Sequence, residues 1–186
     1  MNRPVTEVPP VPVAESGTMP GEGTKAVERG GKYLTFFLAD EEYGLEILKV
    51  QEIIGIMDIT PVPRAPEYIR GVINLRGKVI PVVELRSKFE MATVDDTDET
   101  CIIVVQAQGL QMGIIVDKVS EVMDITHQDI EDAPSFGSDV RTDYILGIGK
   151  SEDRVKLLLD IEKVLSGQRL NELRAATSAA STTNPN

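Results

Sequence analysis

Tyr43-Gly-Leu-Glu-Ile-Leu-Lys-Val-Gln-Glu-Ile-Ile54 recurs 69 residues later as Met112-Gly-Ile-Ile-Val-Asp-Lys-Val-Ser-Glu-Val-Met123. Four of the twelve positions are identical (Gly44 with Gly113, Lys49 with Lys118, Val50 with Val119, Glu52 with Glu121), and four more exchange one aliphatic side chain for another. The match runs without a gap from Tyr33 to Ile54 against Ile102 to Met123. It resumes at a shift of 76, where Tyr68-Ile-Arg-Gly-Val72 faces Tyr144-Ile-Leu-Gly-Ile148 and Lys78-Val-Ile-Pro-Val-Val-Glu-Leu85 faces Arg154-Val-Lys-Leu-Leu-Leu-Asp-Ile161. One supersecondary unit therefore occurs twice, and the fold has to be read from that duplication.

Each unit consists of short β-branched and aromatic runs broken by glycine, proline or acidic turns, as in Tyr33-Leu-Thr-Phe-Phe-Leu38, then Ala39-Asp-Glu-Glu42, then Tyr43-Gly-Leu-Glu-Ile47. That is a hairpin pattern. Further strands are expected near 50–57, 71–75, 78–84, 101–106, 111–116, 119–125, 145–149 and 154–159. Helical patterning is confined to a turn or two near Pro66, one near Leu85 and a longer stretch from Asp160 to about Leu173. The fold class is mainly β. Closing about five short strands into a small barrel removes exposed strand edges, which predicts two five-stranded barrel units, about 33–92 and 98–165, free to exchange strands. The acidic Val94-Asp-Asp-Thr-Asp-Glu-Thr100 between them reads as a solvated connection. Residues 1–32, with five prolines and five glycines, read as a flexible tail, and 166–186 as a helix end and polar tail.

The net charge of −11 is concentrated in residues 33–165, which hold 25 acidic and 13 basic side chains. Phosphate backbones repel such a surface, which argues against nucleic acid and anionic membrane as partners. No apolar run is long enough to span a membrane and no leader pattern opens the chain, so a cytoplasmic protein without direct membrane insertion is expected. The lone Cys101 excludes a disulfide framework within the chain.

Motifs for chemistry are few. His127, the one histidine, lies in the polar Thr126-His-Gln-Asp129 without a nucleophile elbow nearby. Asp124, Thr126, Gln128, Asp129, Glu131 and Asp132 alternate oxygen donors but lack the glycine of a calcium loop, and Ile130 breaks the spacing. Gly147-Ile-Gly-Lys-Ser151 ends like a phosphate-binding loop, yet Tyr144 occupies the place of its first glycine and a strand pattern follows where a helix should begin. It reads as a hairpin turn. No catalytic residue, metal or cofactor is expected, and a protein-binding role is favoured; an enzyme dependent on phosphate or metal is the rival from another class.

Three segments carry a resemblance: Glu41-Glu-Tyr-Gly-Leu-Glu-Ile-Leu-Lys-Val-Gln-Glu-Ile53, Gly71-Val-Ile-Asn-Leu-Arg-Gly-Lys-Val-Ile-Pro-Val-Val-Glu-Leu-Arg86 and Gly113-Ile-Ile-Val-Asp-Lys-Val-Ser-Glu-Val122. In this order they resemble the CheW family of bacterial chemotaxis, over about Tyr33 to Leu165. The resemblance implies two five-stranded SH3-like barrels with a hydrophobic groove between them and a non-enzymatic adaptor. It would couple the cytoplasmic hairpin tips of chemoreceptors to the regulatory domain of the histidine kinase CheA, so that receptor state controls autophosphorylation within membrane-associated arrays. A CheW-like adaptor of another chemosensory pathway, such as pilus motility, carries the same motifs. Receptor contacts carry over onto Val50, Glu52, Arg76 and Val122, and kinase contacts onto Phe136, Gly55 and Gly147. For the two glycines, backbone geometry at a turn is the competing reading.

Arg76 stands apart from the duplication. Its hairpin, Asn74-Leu-Arg-Gly77, matches Lys150-Ser-Glu-Asp153, which has no arginine. The repeat accounts for the flanking strands, so Arg76 is read as a recognition residue, with the Glu52 carboxylate expected to hold its guanidinium.

Overall fold

A computed structural model describes residues 29–135, 137, 141–167, 170–172 and 175. Residues 1–28 and 176–186, which hold most of both expected tails, lie outside that set. Eleven strands, two short α-helices and two 3-10 turns, Ile47–Lys49 and His127–Asp129, are present among the described residues. The first half gives β1 (Gly31–Leu38), β2 (Glu41–Glu46), β3 (Val50–Gly55), β4 (Ile69–Leu75), β5 (Lys78–Glu84) and α1 (Leu85–Lys88). The second gives β6 (Cys101–Ala107), β7 (Leu110–Val116), β8 (Lys118–Ile125), β9 (Ile130–Glu131), β10 (Ile145–Ser151), β11 (Arg154–Leu159) and α2 (Ile161–Val164).

The strands form two sheets, ordered β8-β1-β2-β11-β10-β9 and β3-β6-β7-β5-β4. Under the repeat, β1 matches β6, β2 matches β7, β3 matches β8, β4 matches β10 and β5 matches β11, so the two orders are the same order. In the second sheet an isolated bridge, Thr60 to Val72, stands where the two-residue β9 pairs with β10 in the first. Neither sheet is built from one half of the chain. The β1–β2 hairpin joins strands of the second half, and the β6–β7 hairpin joins strands of the first. The joins are the parallel pairs β2 with β11 and β5 with β7, which set Leu158 opposite Gly44 and Val82 opposite Gly113. Close packing there explains the glycine that the repeat keeps at Gly44 and Gly113. A Cβ would lie 2.7 Å from Leu158 Cδ2 at Gly44 and 2.7 Å from Ile102 Cγ2 at Gly113. Both neighbours are fully buried in close-packed surroundings, so making room for a methyl would disturb the packing around them.

Every hairpin has a two-residue loop: Ala39-Asp40, Arg76-Gly77, Gln108-Gly109 and Glu152-Asp153. The first residue of each has a positive φ, between 48° and 54°. Where the second is glycine, at Gly77 and Gly109, it too is positive, which makes a primed turn whose twist suits the flanking strands.

The largest core cluster lies between the sheets. Leu34, Phe36, Leu38, Tyr43 and Leu45 from one meet Ile103, Val105, Met112, Ile114 and Val116 from the other. Strands β1 and β6 are buried on both faces, the reason their apolar runs are nearly continuous. Phe36, Tyr43, Phe89 and Tyr144 stack in series, with successive ring centroids 5.7, 5.9 and 5.2 Å apart.

Two local expectations are corrected. The pattern from Asp160 to about Leu173 is not one helix. Asp160 caps α2 by accepting from the Glu162 and Lys163 amides, but the helix ends at Val164, Leu165 to Gly167 are not helical, and the next helical backbone among the described residues is at 170–172. Ser166 Oγ donates to the Lys163 carbonyl at 2.7 Å and Gly167 follows, a combination that ends helices. Around Pro66 the expected turn or two is one hydrogen-bonded turn, Ile69 N–H to Pro66 O. The acidic connection is pinned as well as solvated. Arg70 bonds Glu84 and Asp96, each at 2.6 Å, Lys118 pairs with Glu99, and Arg86 donates to the Ala92 carbonyl at 2.8 Å.

Candidate protein-interaction site

Strand β3 is the outer strand of the five-stranded sheet, paired only with β6. Its side chains alternate between half-buried and exposed. Val50 leans on the core between the sheets, Glu52 is half-buried, and Ile53 is 45% exposed. Across the sheet's open side the β4–β5 turn brings Arg76 to Glu52. Arg76 Nη1 donates to Glu52 Oε1 at 2.8 Å and Nη2 to Oε2 at 2.7 Å. Both terminal nitrogens are engaged, the two-pronged geometry that an arginine offers and a lysine does not. The hydrogen bonds from Arg76 hold the Glu52 carboxyl below the usual carboxylate range. Yet 72% of the Arg76 side chain remains open to solvent. An exposed pair of this kind contributes little to stability, so the fold does not depend on it.

Val122 lies on β8, the outer strand of the other sheet, and is 48% exposed. Val50 and Val122 therefore belong to different sheets and do different things. Val50 has its true counterpart in Val119, which also packs on the core between the sheets, whereas Val122 is the counterpart of Ile53. The sequence reading passed over Ile53, although the shift of 69 residues places it opposite Val122.

Gly55 ends β3 opposite Cys101, and a Cβ there would meet nothing within 4 Å. Gly147 lies inside β10 at a bulge, where a Cβ would sit 2.8 Å from the Glu131 carbonyl and 2.7 Å from Ile130 Cγ2. Neither is at a turn. Gly147 is required by the close approach of β9, and Gly55 by neither space nor backbone. Phe136 lies outside the described residues.

The matches to known proteins bear on this architecture. Residues 32–169 match the family model described as the CheW-like domain. The chain belongs to the CheW-like family. Chemotaxis protein CheW of Klebsiella aerogenes is 41% identical over 141 residues, covering 76% of this chain and 85% of the relative. That of Bacillus subtilis is 36% identical over 76% of this chain and 91% of the relative. The crystal structure of the scaffolding protein TtCheW from Thermoanaerobacter tengcongensis superimposes with a TM-score of 0.70 at 35% identity, over 75% of this chain and 95% of that one. As a CheW-like protein the chain is an adaptor or scaffold of chemotaxis signalling.

The CheW-like frame also accounts for the polar motifs. Gly147 to Ser151 is strand, not the expected hairpin turn, because the turn comes at Glu152-Asp153. Its backbone faces β11 on one side and β9 on the other instead of cradling a phosphate. The acids of the Asp124 loop are each spent on a separate partner: Asp124 on Lys32, Asp129 on Thr126, Glu131 on Lys150 and Asp132 on Arg29. Among the described residues no three His, Cys, Asp or Glu side chains are grouped to hold a metal. His127 is exposed in a 3-10 turn over 127–129. No helix among the described residues is long and apolar enough to cross a membrane.

Proposed function

We propose that this CheW-like adaptor joins the cytoplasmic hairpin tips of chemoreceptors to the histidine kinase CheA and is thereby recruited to receptor arrays at the membrane. Arg76 carries the reading: it is held by Glu52 at the edge of a sheet, largely in solvent, and its counterpart in the duplicated half is the acidic Glu152. A residue that contributes little to stability and breaks the repeat is free to serve a partner. Val50, Glu52, Arg76 and Val122 are assigned to the receptor, with Ile53 added because it is the exposed aliphatic beside Glu52. A helical hairpin offers apolar side chains to such aliphatics and oxygen acceptors to the guanidinium. Gly55, Gly147 and Phe136 are assigned to the regulatory domain of the kinase.

The test is a titration of the full chain with a receptor cytoplasmic fragment and, separately, with the kinase regulatory domain. Arg76→Ala should weaken receptor binding by about tenfold, the size expected of an interface anchor. It should leave kinase-domain affinity unchanged and shift unfolding stability by no more than about 0.5 kcal/mol. Unchanged receptor affinity, or an unfolded variant, would remove Arg76 from the receptor surface.

A further inference from the structure

The turn that carries Arg76 has three sisters that share the backbone of its first position, one of which, Gln108-Gly109, also shares the positive φ of its second, and they act as internal controls. Ala39, Arg76, Gln108 and Glu152 all occupy the first loop position of a two-residue hairpin with φ of 53°, 52°, 48° and 54°. Only before Arg76 does an asparagine stand two residues earlier. Asn74 Oδ1 accepts from the Gly77 backbone N–H at 2.8 Å, bracing the loop from within its own strand. The residues at the same place in the other hairpins are Phe37, Gln106 and Lys150. Phe37 has no polar side-chain atom, Gln106 Oε1 accepts from Gln51 Nε2 at 3.0 Å, and Lys150 Nζ pairs with Glu131. Gln108-Gly109 thus reaches the same two-residue geometry without the brace, and the other two hairpins reach the same first position without it, so forming the turn does not require it. All four first residues are L-residues at a φ disfavoured by roughly 1–2 kcal/mol; what this turn alone must do is hold an arginine there with its fork aligned on Glu52.

We infer that Asn74 is a positioning residue for recognition: by bracing the Arg76-Gly77 loop it orients the guanidinium, so that the donors left over by Glu52 point at the partner. This rests on the reading of Arg76 as a receptor contact. Glu52 occupies one N–H on each terminal nitrogen. The Nε–H and one further N–H on each terminal nitrogen remain, a set of donors with no acceptor. The partner group they fit is therefore an oxygen acceptor, a main-chain carbonyl, a side-chain amide oxygen or a carboxylate on the receptor tip. A cation or an apolar side chain does not fit them.

The experiment is a double-mutant cycle on binding of a receptor cytoplasmic fragment to the full chain, using wild type, Asn74→Ala, Arg76→Ala and the double variant, with thermal unfolding of each. Asn74→Ala should weaken binding about threefold to tenfold, in the range of one ordinary hydrogen bond. It should cost nothing further once Arg76 is alanine. Asn74→Asp, which keeps an acceptor oxygen in place, should restore most of the affinity. If Asn74→Ala lowers affinity equally in both backgrounds, or leaves it unchanged while Arg76→Ala weakens it, the positioning role is wrong and the receptor reading of Arg76 stands. If Arg76→Ala itself has no effect on affinity, both fall together.

Discussion

Inside the five-stranded sheet lie Ile73, Ile80, Val82, Ile102, Val104 and Ile115, six aliphatic side chains, all buried. At the matching places of the six-stranded sheet stand Gly149, Lys156, Leu158, Tyr33, Thr35 and Glu46. The same backbone plan has therefore been filled in two ways. In the second, Thr35 Oγ1 donates to the Glu121 carbonyl at 3.0 Å, and Lys156 pairs with Glu42 at 3.1 Å, with both side chains at least nine-tenths buried. The outer surface differs too: Glu52 and Arg76 on one side become Glu121 and Glu152 on the other. Duplication preserves what backbone pairing requires, namely glycines at the parallel joins and two-residue turns. It leaves interior filling and surface charge free to diverge, since these are decided side chain by side chain.

The largest effect should come from breaking the buried pair. Lys156→Ala leaves the Glu42 carboxylate uncompensated in the interior and should cost about 3–5 kcal/mol in denaturant unfolding. Transplanting the other sheet's apolar filling, Lys156→Ile after Ile80 together with Glu42→Leu so that no buried polar group is left, should instead be neutral or stabilising. A transplant as costly as the single change would mean that the two interiors are not interchangeable.

Next in size are the symmetric glycines. Gly44→Ala and Gly113→Ala each place a methyl against a buried side chain at a parallel join and should each lose about 1–3 kcal/mol, measured by the shift in urea midpoint. Similar losses support equivalent joins; a loss at one alone would show that the duplication has drifted there.

The smallest effect is one of pH. Burial, assisted by the Glu46 carboxylate and opposed by Arg29, pushes the Tyr33 phenol up to about 12. The folded state keeps this proton where the unfolded chain, near 10, loses it. Stability should therefore be flat below about pH 10 and fall as pH rises towards about 12. Tyr43 and Tyr144, also raised by burial, add to the slope. Tyr33→Phe should make the fall shallower, whereas Ile102, which holds the matching place in the other sheet, contributes no proton at all. An unchanged profile would remove Tyr33 from this linkage.

Much of this was legible from sequence because strand pairing leaves a local signature. Alternation, turn residues and the repeat located β4, β5 and β11 to within two residues. The helical stretch after Asp160 was overextended because its apolar spacing continues past Ser166-Gly167, where the helix stops. Arg76 stood out because it breaks the repeat, and Glu52 came with the family resemblance. Asn74 was not, because its role depends on one hydrogen bond to Gly77, and an asparagine near a turn is too common to be informative.

By itself the sequence determined that one β unit occurs twice, where its strands and turns fall, and that Arg76 is foreign to the repeat, because these follow from periodicity and from comparing the chain with itself. Only the tertiary structure decided which strands share a sheet, that Gly44 and Gly113 mark parallel joins between the halves, and that Glu52 grips Arg76 with both oxygens. Hydrogen-bond ladders and ion pairs are settled by contact between residues far apart in the chain, and local pattern carries no record of that distance.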